Sequence, residues 1–461
     1  MTRFSPRIFW LILADAAILF SGVVLAMYLR LGLSGSMYEL NEKNGWLKIT
    51  LASALCLLCL YFYDLYNYIV MTNRRELLLR LVQALGIGWI LLAIIFYFAP
   101  PLLIGRGVSL ISVPVILGML LGWRIFIHSL TGHPEIGEKI LVVGTGQTAL
   151  DTAEAVWERR DAGYRIVGFV SENGAKPKEK LGRSEILGRA MDLEGIIRNE
   201  KIDRVVIAVR ERRGAFPTEA LLKMSLAGDV SIEECTSFFE RITGKVHVDM
   251  LRPSWLIFAG RRRETSLRSL IREIVHRSLA LTGLVLSLPI ALLTAVLIKI
   301  ESRGPVFYKQ ERVGRNGRRF NVIKFRSMKI DAEPDGEPIW AAENDERATR
   351  VGKIIRKLRI DEIPQFWNIL KGEMSFVGPR PERPHFVGQL AQEIPFYEHR
   401  HLVAPGLTGW AQIKYPYGAS VSDAIQKLQY DLYYIKNQSL ALDILIVFDT
   451  LKTVLFSKGS R

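Results

Sequence analysis

LALTGLVLSLPIALLTAVLI, residues 279–298, is the stretch on which the architecture turns. At 1.5 Å per residue it is long enough to cross about 30 Å of hydrocarbon. Pro289 stands at its centre, where it removes a backbone donor and crowds the preceding turn. Arg268, Arg272 and Arg277 precede the run, and Lys299, Arg303 and Lys309 follow it. Basic flanks favour the cytoplasmic side, so a full crossing would leave one of them on the wrong face. The economical reading is a re-entrant helix over 279–298 that enters one leaflet, breaks at Pro289 and returns.

Toward the N-terminus lie four more apolar runs, Ile8 to Leu29, Leu47 to Tyr66, Leu79 to Tyr97 and Val108 to Ile127, each near the length of a membrane helix. The first is long, carries Asp15 and runs into Arg30, which marks an anchor and not a cleaved leader. Arg3, Arg7, Arg74, Arg75, Arg80 and Arg124 put both ends of this four-helix unit, residues 1–130, on the cytoplasmic side. Asp15 and the Cys56 and Cys59 pair read as packing contacts. The chain of 461 residues is too long for one core. At 49% hydrophobic and 23% charged it must keep its apolar and charged parts apart. Its net charge of +15 calls for anionic partners. The excess is local, with seven Arg against two Glu in 251–280 and ten basic against two acidic residues in 299–329. Three Cys support neither a disulfide framework nor a zinc site.

From residue 138 to 250 short β-branched runs alternate with helical periods, the texture of a parallel sheet. Gly144 and Gly146 open the first turn after the first strand, and Glu172 follows the second, as in a Rossmann-like, nucleotide-binding-like domain. A basic linker over 251–271 leads to the remainder, 272–461. There, Val306 to Val313 and Arg319 to Ser327 read as a hairpin closed by Asn316-Gly317. Lys324 and Arg326, two apart on a strand, face the same way about 6.6 Å from each other, a spacing suited to a diphosphate. Asp361 and Glu362 stand before Pro364, with Asp361 placed to cap a helix of about ten residues that stops at Gly372. Adjacent carboxylates can hold Mg²⁺, and a carboxylate can attack a phosphoryl group. In GPRPERP, residues 378–384, three prolines stiffen a turn that carries Arg380 and Arg383, two guanidinium forks for phosphate. Leu440 to Phe456, interrupted by Asp443, Asp449 and Lys452, reads as a helix that packs or lies on a membrane without crossing it.

These blocks together resemble the bacterial sugar transferases. The likeness rests on GPVFYKQERVG at 304–314, KFRSM at 324–328, Asp361-Glu362, MSFVGPRP at 374–381 and PGLTGWAQ at 405–412, and the whole chain resembles the long form of that family. The resemblance implies a membrane protein of α plus α/β class: a four-helix transmembrane bundle, a Rossmann-like domain and a C-terminal α+β catalytic domain with a re-entrant helix. It implies transfer of hexose-1-phosphate from a UDP-hexose to undecaprenyl phosphate, with release of UMP, as the first membrane step of exopolysaccharide assembly. Asp361 would be the nucleophile and Glu362 its partner. Mg²⁺ would bridge the pair and the diphosphate, and Lys324, Arg326 and Arg380 would bind anions. One departure is Leu288-Pro289 where some relatives have Ser-Pro, with Ser287 one place earlier. Membrane lipid and inner-membrane localisation, with the catalytic part on the cytoplasmic face, follow from the same resemblance; a homo-oligomer stays open. A membrane-anchored nucleotide-sugar dehydratase or epimerase would need Tyr with Lys four residues on, and no tyrosine has it. A nucleotide-gated sensor leaves the Asp361 and Arg380 blocks without a role, and no nucleic-acid motif accompanies the charge.

Overall fold

The computed structural model describes residues 6–66, 74–131, 137–159, 163–172, 179–209, 218–228, 230–248, 266–329, 347–416, 418 and 420–455. Contacts divide the chain into two compact units, one running from Arg3 to Ile232 and the other from Glu233 to the C-terminus.

In the first unit, α1 (Pro6–Glu42), α2 (Gly45–Phe62), α3 (Arg74–Phe98) and α4 (Arg106–Thr131) occupy the four apolar stretches. The first helix outruns the expected Leu29 because the chain regains helical geometry after a break at Gly32, where φ is 70°. Leu19, Met27, Ile49, Leu60, Leu81 and Leu120 form the interior. Asp15 is buried in an ion pair with Arg124, and the same guanidinium donates to the Leu65 carbonyl at 3.0 Å. This carboxylate is therefore a structural contact, made from the third turn of α1. Cys56 and Cys59 are buried free thiols.

The α/β part of this unit follows from short runs that bury every side chain, such as Ile140 to Val143. Strands β1 (Glu138–Val143), β2 (Tyr164–Ser171), β3 (Lys180–Leu181), β4 (Ser184–Arg189), β5 (Arg204–Ile207) and β6 (Ser231–Glu234) form one sheet in the order β3-β4-β2-β1-β5-β6. β1 runs parallel to both β2 and β5. Between β1 and β2, α5 (Gln147–Glu158) starts immediately after Gly146. Gly144 has φ near 124° and its amide donates to the Val170 carbonyl, so the glycine is required by the turn itself.

In the second unit, α6 (Cys235–Thr243) and the residues after it pack on C-terminal elements. Lys436 Nζ sits 2.7 Å from Glu240, Trp410 Nε1 donates to the Gly244 carbonyl at 2.7 Å, and the Val246 amide donates to Gln429. These bonds tie residues 240–246 to the C-terminal elements. Of the basic linker, residues 251–265 lie outside the described residues; from Ser266 the chain is helical, as α7 (Ser266–Glu301).

Helix α7 is long and apolar enough to cross a membrane, as are α1 to α4, so the protein is a membrane protein. It stays helical through Pro289. Proline at 289 leaves the Val285 carbonyl without its usual donor, and the nearby Ser287 hydroxyl donates instead to Leu284. Hairpin β7 (Phe307–Val313) and β8 (Arg319–Phe325) pairs antiparallel, with Asn316 and Gly317 at positive φ in the connection. Beyond it come α8 (Arg350–Lys357), α9 (Gln365–Lys371), β9 (Ser375–Val377), α10 (Pro384–Glu393), β10 (Gly406–Thr408), α11 (Val421–Asn437) and α12 (Leu440–Leu455). Helix α12 buries Asp443 beside His276 and Tyr434, which explains the charge that interrupts its apolar run.

Candidate active site

Asp361 lies in a 3-10 turn, Ile360–Glu362, and not at the cap of the following helix. Arg359, at φ 57°, turns the chain before the acidic pair, so α9 begins only at Gln365, with Pro364 at its cap. The helix end matches expectation: Gly372 adopts a left-handed conformation and its amide returns to Asn368 and Ile369.

Asn368 fixes where the hairpin meets this turn. Fully buried, it accepts from the Ile323 amide at 3.1 Å and donates to the Asn321 carbonyl at 2.8 Å. The side chain of a residue on α9 thereby holds the backbone of β8 on either side of Val322, and Lys324 is brought to the acidic pair. Lys324 Nζ is 3.2 Å from Glu362 Oε1, and Arg380 Nη2 reaches the same oxygen at 2.9 Å. Arg359 Nη1 stands 3.9 Å from Glu362 Oε2. Two of these cations were expected from sequence; Arg359 and the bridging Asn368 were not. Arg359 had a signal in its position two residues before the acidic pair, whereas Asn368 looked like any polar residue on a short helix.

The two carboxylates sit in contrasting surroundings. Burial would raise Glu362, but Arg380, Lys324 and Arg359 outweigh it and hold this carboxyl well below the usual range. Asp361 is raised, first by burial and then by the negative charge of Glu362, with Lys324, Arg380 and Arg359 pulling the other way. Its carboxylate makes no hydrogen bond among the described residues. The result is one anion neutralised by three cations and one carboxylate left unengaged beside it. Burial in turn lowers the Lys324 ammonium, an effect its neighbour Glu362 opposes.

Arg326 has a different placement from the one expected. The strand ends at Phe325, and the guanidinium turns to the C-terminal end of α7, donating to the carbonyls of Ser302 and Arg303 and to the Ser302 hydroxyl. It caps a helix and is not aimed at the acidic pair. Arg383 stands at the N-cap of α10, in the neighbourhood of Arg312. Gly144, Gly146 and Pro289 belong to elements described above and contribute nothing to this cluster. The adjacent carboxylates offer hard oxygen ligands of the kind Mg²⁺ takes, one or two per ion together with substrate phosphates. With Asp361 unengaged, the donor set fits such an ion held jointly with a diphosphate. Among the described residues no group of three or more His, Cys, Asp or Glu could hold a metal without substrate.

Comparison with known proteins places the cluster. Residues 267–457 match the bacterial sugar transferase family, and residues 62–215 match a family described as a CoA-binding domain. The chain is 44% identical over 261 residues to the UDP-N-acetylgalactosamine-undecaprenyl-phosphate N-acetylgalactosaminephosphotransferase of Aeromonas hydrophila, covering 57% of this chain and 61% of that one. It is 34% identical over 351 residues to the undecaprenyl-phosphate glucose phosphotransferase of Komagataeibacter xylinus, covering 72% and 62%. An exopolysaccharide production protein of Rhizobium leguminosarum is 39% identical over 179 residues, 37% of this chain but 88% of its own length. The chain therefore spans about three fifths of the first two relatives and nearly all of the third. Acidic pair, cationic collar and Pro-Arg-Pro turn all lie within the matched family region: the chain belongs to the bacterial sugar transferase family.

Proposed function

We propose that the protein is a phosphoglycosyl transferase that moves hexose-1-phosphate from a UDP-hexose to undecaprenyl phosphate. The observation that carries this reading is the contrast within the acidic pair: Glu362 gathers Lys324, Arg380 and Arg359 into a collar for phosphate, and Asp361 beside it keeps its carboxylate unengaged. Such a pair suits phosphoryl transfer, where positioning and charge neutralisation do most of the work.

In the first step an Asp361 carboxylate oxygen attacks the β-phosphorus of the UDP-hexose. The bond from that phosphorus to the bridging oxygen breaks, and UMP leaves with the electron pair. The hexose phosphate remains on Asp361 as an acyl phosphate. In the second step an oxygen of undecaprenyl phosphate attacks the same phosphorus and the bond to Asp361 breaks, which restores the carboxylate and yields a lipid diphosphate-linked sugar. Lys324 and Arg380 hold the phosphoryl oxygens in both steps. Mg²⁺ held by Asp361 and Glu362 would supply further charge neutralisation at the diphosphate.

Helix α7 supports a re-entrant seat at the inner leaflet. In its first half Ala280 packs with Val322, Ile369 and Met374, and near its end Ile298 packs with Phe325 and Ile355, so both halves rest on one domain. Between them Leu286 and Val285 are mostly exposed, as a lipid-facing segment requires. On this reading the site lies at the headgroup level on the cytoplasmic face of the bacterial inner membrane, where undecaprenyl phosphate presents its phosphate, and the product starts an exopolysaccharide chain.

The test is UMP release by purified protein in detergent with Mg²⁺, undecaprenyl phosphate and a panel of UDP-sugars covering glucose, galactose and N-acetylgalactosamine. Release with one sugar, dependent on the lipid for turnover, supports the reading. Absence of release across the panel would overturn it.

A further inference from the structure

Arg380 must point at Glu362 from a segment with few means of holding itself in place. Pro379 and Pro381 flank it, and neither has an N–H to donate to a ladder. What remains are carbonyls, and a succession of donors takes them. The Gly406 amide donates to Pro379 at 2.9 Å, Arg312 to Pro381 at 3.1 Å and the Val313 amide to Glu382 at 2.9 Å. The carbonyl of Arg380 itself is taken by Arg400, whose Nη2 lies 3.0 Å away.

Arg400 is itself buried and fixed. It comes from the short helical turn Tyr397–Leu402, its Nη1 donates to the Tyr397 hydroxyl at 2.7 Å, and its Nη2 pairs with Asp431 of α11 at 2.9 Å. Arg400 is 6% exposed and Asp431 1% exposed, so this ion pair is cut off from water. A buried ion pair is weak evidence for stability, since apolar residues of the same volume often serve as well. A guanidinium that spends one fork on a partner carboxylate and on the carbonyl of a site residue has a more specific use. Both Arg400 and Asp431 bond to groups other than Glu362 and Lys324, so their effect on the site passes through Arg380.

We infer that Arg400, held by Asp431 and Tyr397, is a positioning residue that sets the reach of Arg380 to the phosphate collar. The inference rests on the transferase reading for its kinetic consequence, but its structural content is independent of that reading.

The experiment uses the full-length protein in detergent. Arg400→Lys keeps the charge beside Asp431 but loses the fork that reaches the carbonyl and the hydroxyl together. It is expected to lower kcat/KM for the UDP-sugar about tenfold in the otherwise unaltered protein, and to cause almost no further loss in an Arg380→Ala background, because both changes act through one side chain. Lys436→Met, which breaks the nearby pair with Glu240 on the same helix α11, serves as the control for plain destabilisation and should leave kcat/KM unchanged. Hydrogen exchange of the peptide carrying the Gly406 amide, which donates to Pro379 in this turn, is read in parallel: faster exchange in Arg400→Lys than in Lys436→Met is expected. Equal losses in the two Arg380 backgrounds, or unaltered exchange in that peptide, would overturn the inference. Should no UDP-sugar release UMP, the transferase reading fails while the exchange comparison still decides the positioning role.

Discussion

Replacing Asp361 by Asn separates the role of this side chain in chemistry from its role in folding, because the two are expected to move in opposite directions. Asp361 is buried, and its pKa is raised from 3.8 to about 6 by burial and by Glu362. A tenfold change in proton affinity is worth about 1.4 kcal/mol, so the rise makes an ionised Asp361 cost the folded state on the order of 3 kcal/mol. For a group whose folded pKa is raised, stability is greatest below the unfolded value and is lost as pH rises through the folded one. The Asn variant, free of that cost, should therefore be more stable than the unaltered protein at about pH 7.5. The difference should shrink as pH falls from about 6 toward about 4 and vanish below about pH 3, where Asp361 is largely protonated whether the chain is folded or not. Turnover should fall at least about a thousandfold, the scale seen when a covalent nucleophile is removed. Tryptophan-monitored thermal unfolding in detergent, run at several pH values, reads the first effect, and UMP release reads the second. An Asn variant that retains turnover, or one that unfolds at lower temperature than the unaltered protein near neutral pH, would refute the reasoning.

Other outcomes follow from the same geometry. Because a protonated Asp361 cannot attack phosphorus, activity should decline as pH drops below about 6; Glu362→Gln removes the negative charge beside it and should move that acidic limb to lower pH, measured on the residual rate. Lys324→Met should cut kcat/KM at least about tenfold through loss of a phosphate contact, whereas Arg326→Lys, at a helix end, should lower thermal stability and leave the KM for UDP-sugar unaltered. Asp15→Asn strands the buried guanidinium of Arg124 and should cost about 3 to 5 kcal/mol, read as a lowered unfolding temperature, with Arg124→Gln added to the same chain recovering part of it.

Much of the architecture was legible because the signals were periodic and local. Four apolar runs became four helices, the Asn316-Gly317 pair became a turn at positive φ, and the β-branched runs from 138 became parallel strands. The misses have identifiable causes. β3 spans two residues, too short for any alternation to register, and β4 lies just beyond it. Asp361 had the chemistry of an N-cap, but Arg359 in the left-handed region redirected the chain and converted that position to a 3-10 turn. The alternation rule aligned Lys324 with Arg326, and it failed because the strand ends between them and the exposed end of α7 offered Arg326 unsatisfied carbonyls. Lys324 and Arg380, from separate blocks of sequence, both reach Glu362 of the acidic pair. Arg400 and Asp431 gave no signal, since two charged residues on separate elements look like solvated surface until the fold buries them together.

The central claim is a covalent step on Asp361, and the mass of the intact protein tests it most directly. Protein incubated with its UDP-sugar and Mg²⁺ but without undecaprenyl phosphate should gain the mass of one hexose phosphate, mapped to the peptide that contains Asp361, absent from Asp361→Asn and removed when the lipid is added. Protein that turns over with lipid yet never carries the adduct, with rapid quenching at times shorter than one turnover, would contradict a two-step transfer through this carboxylate.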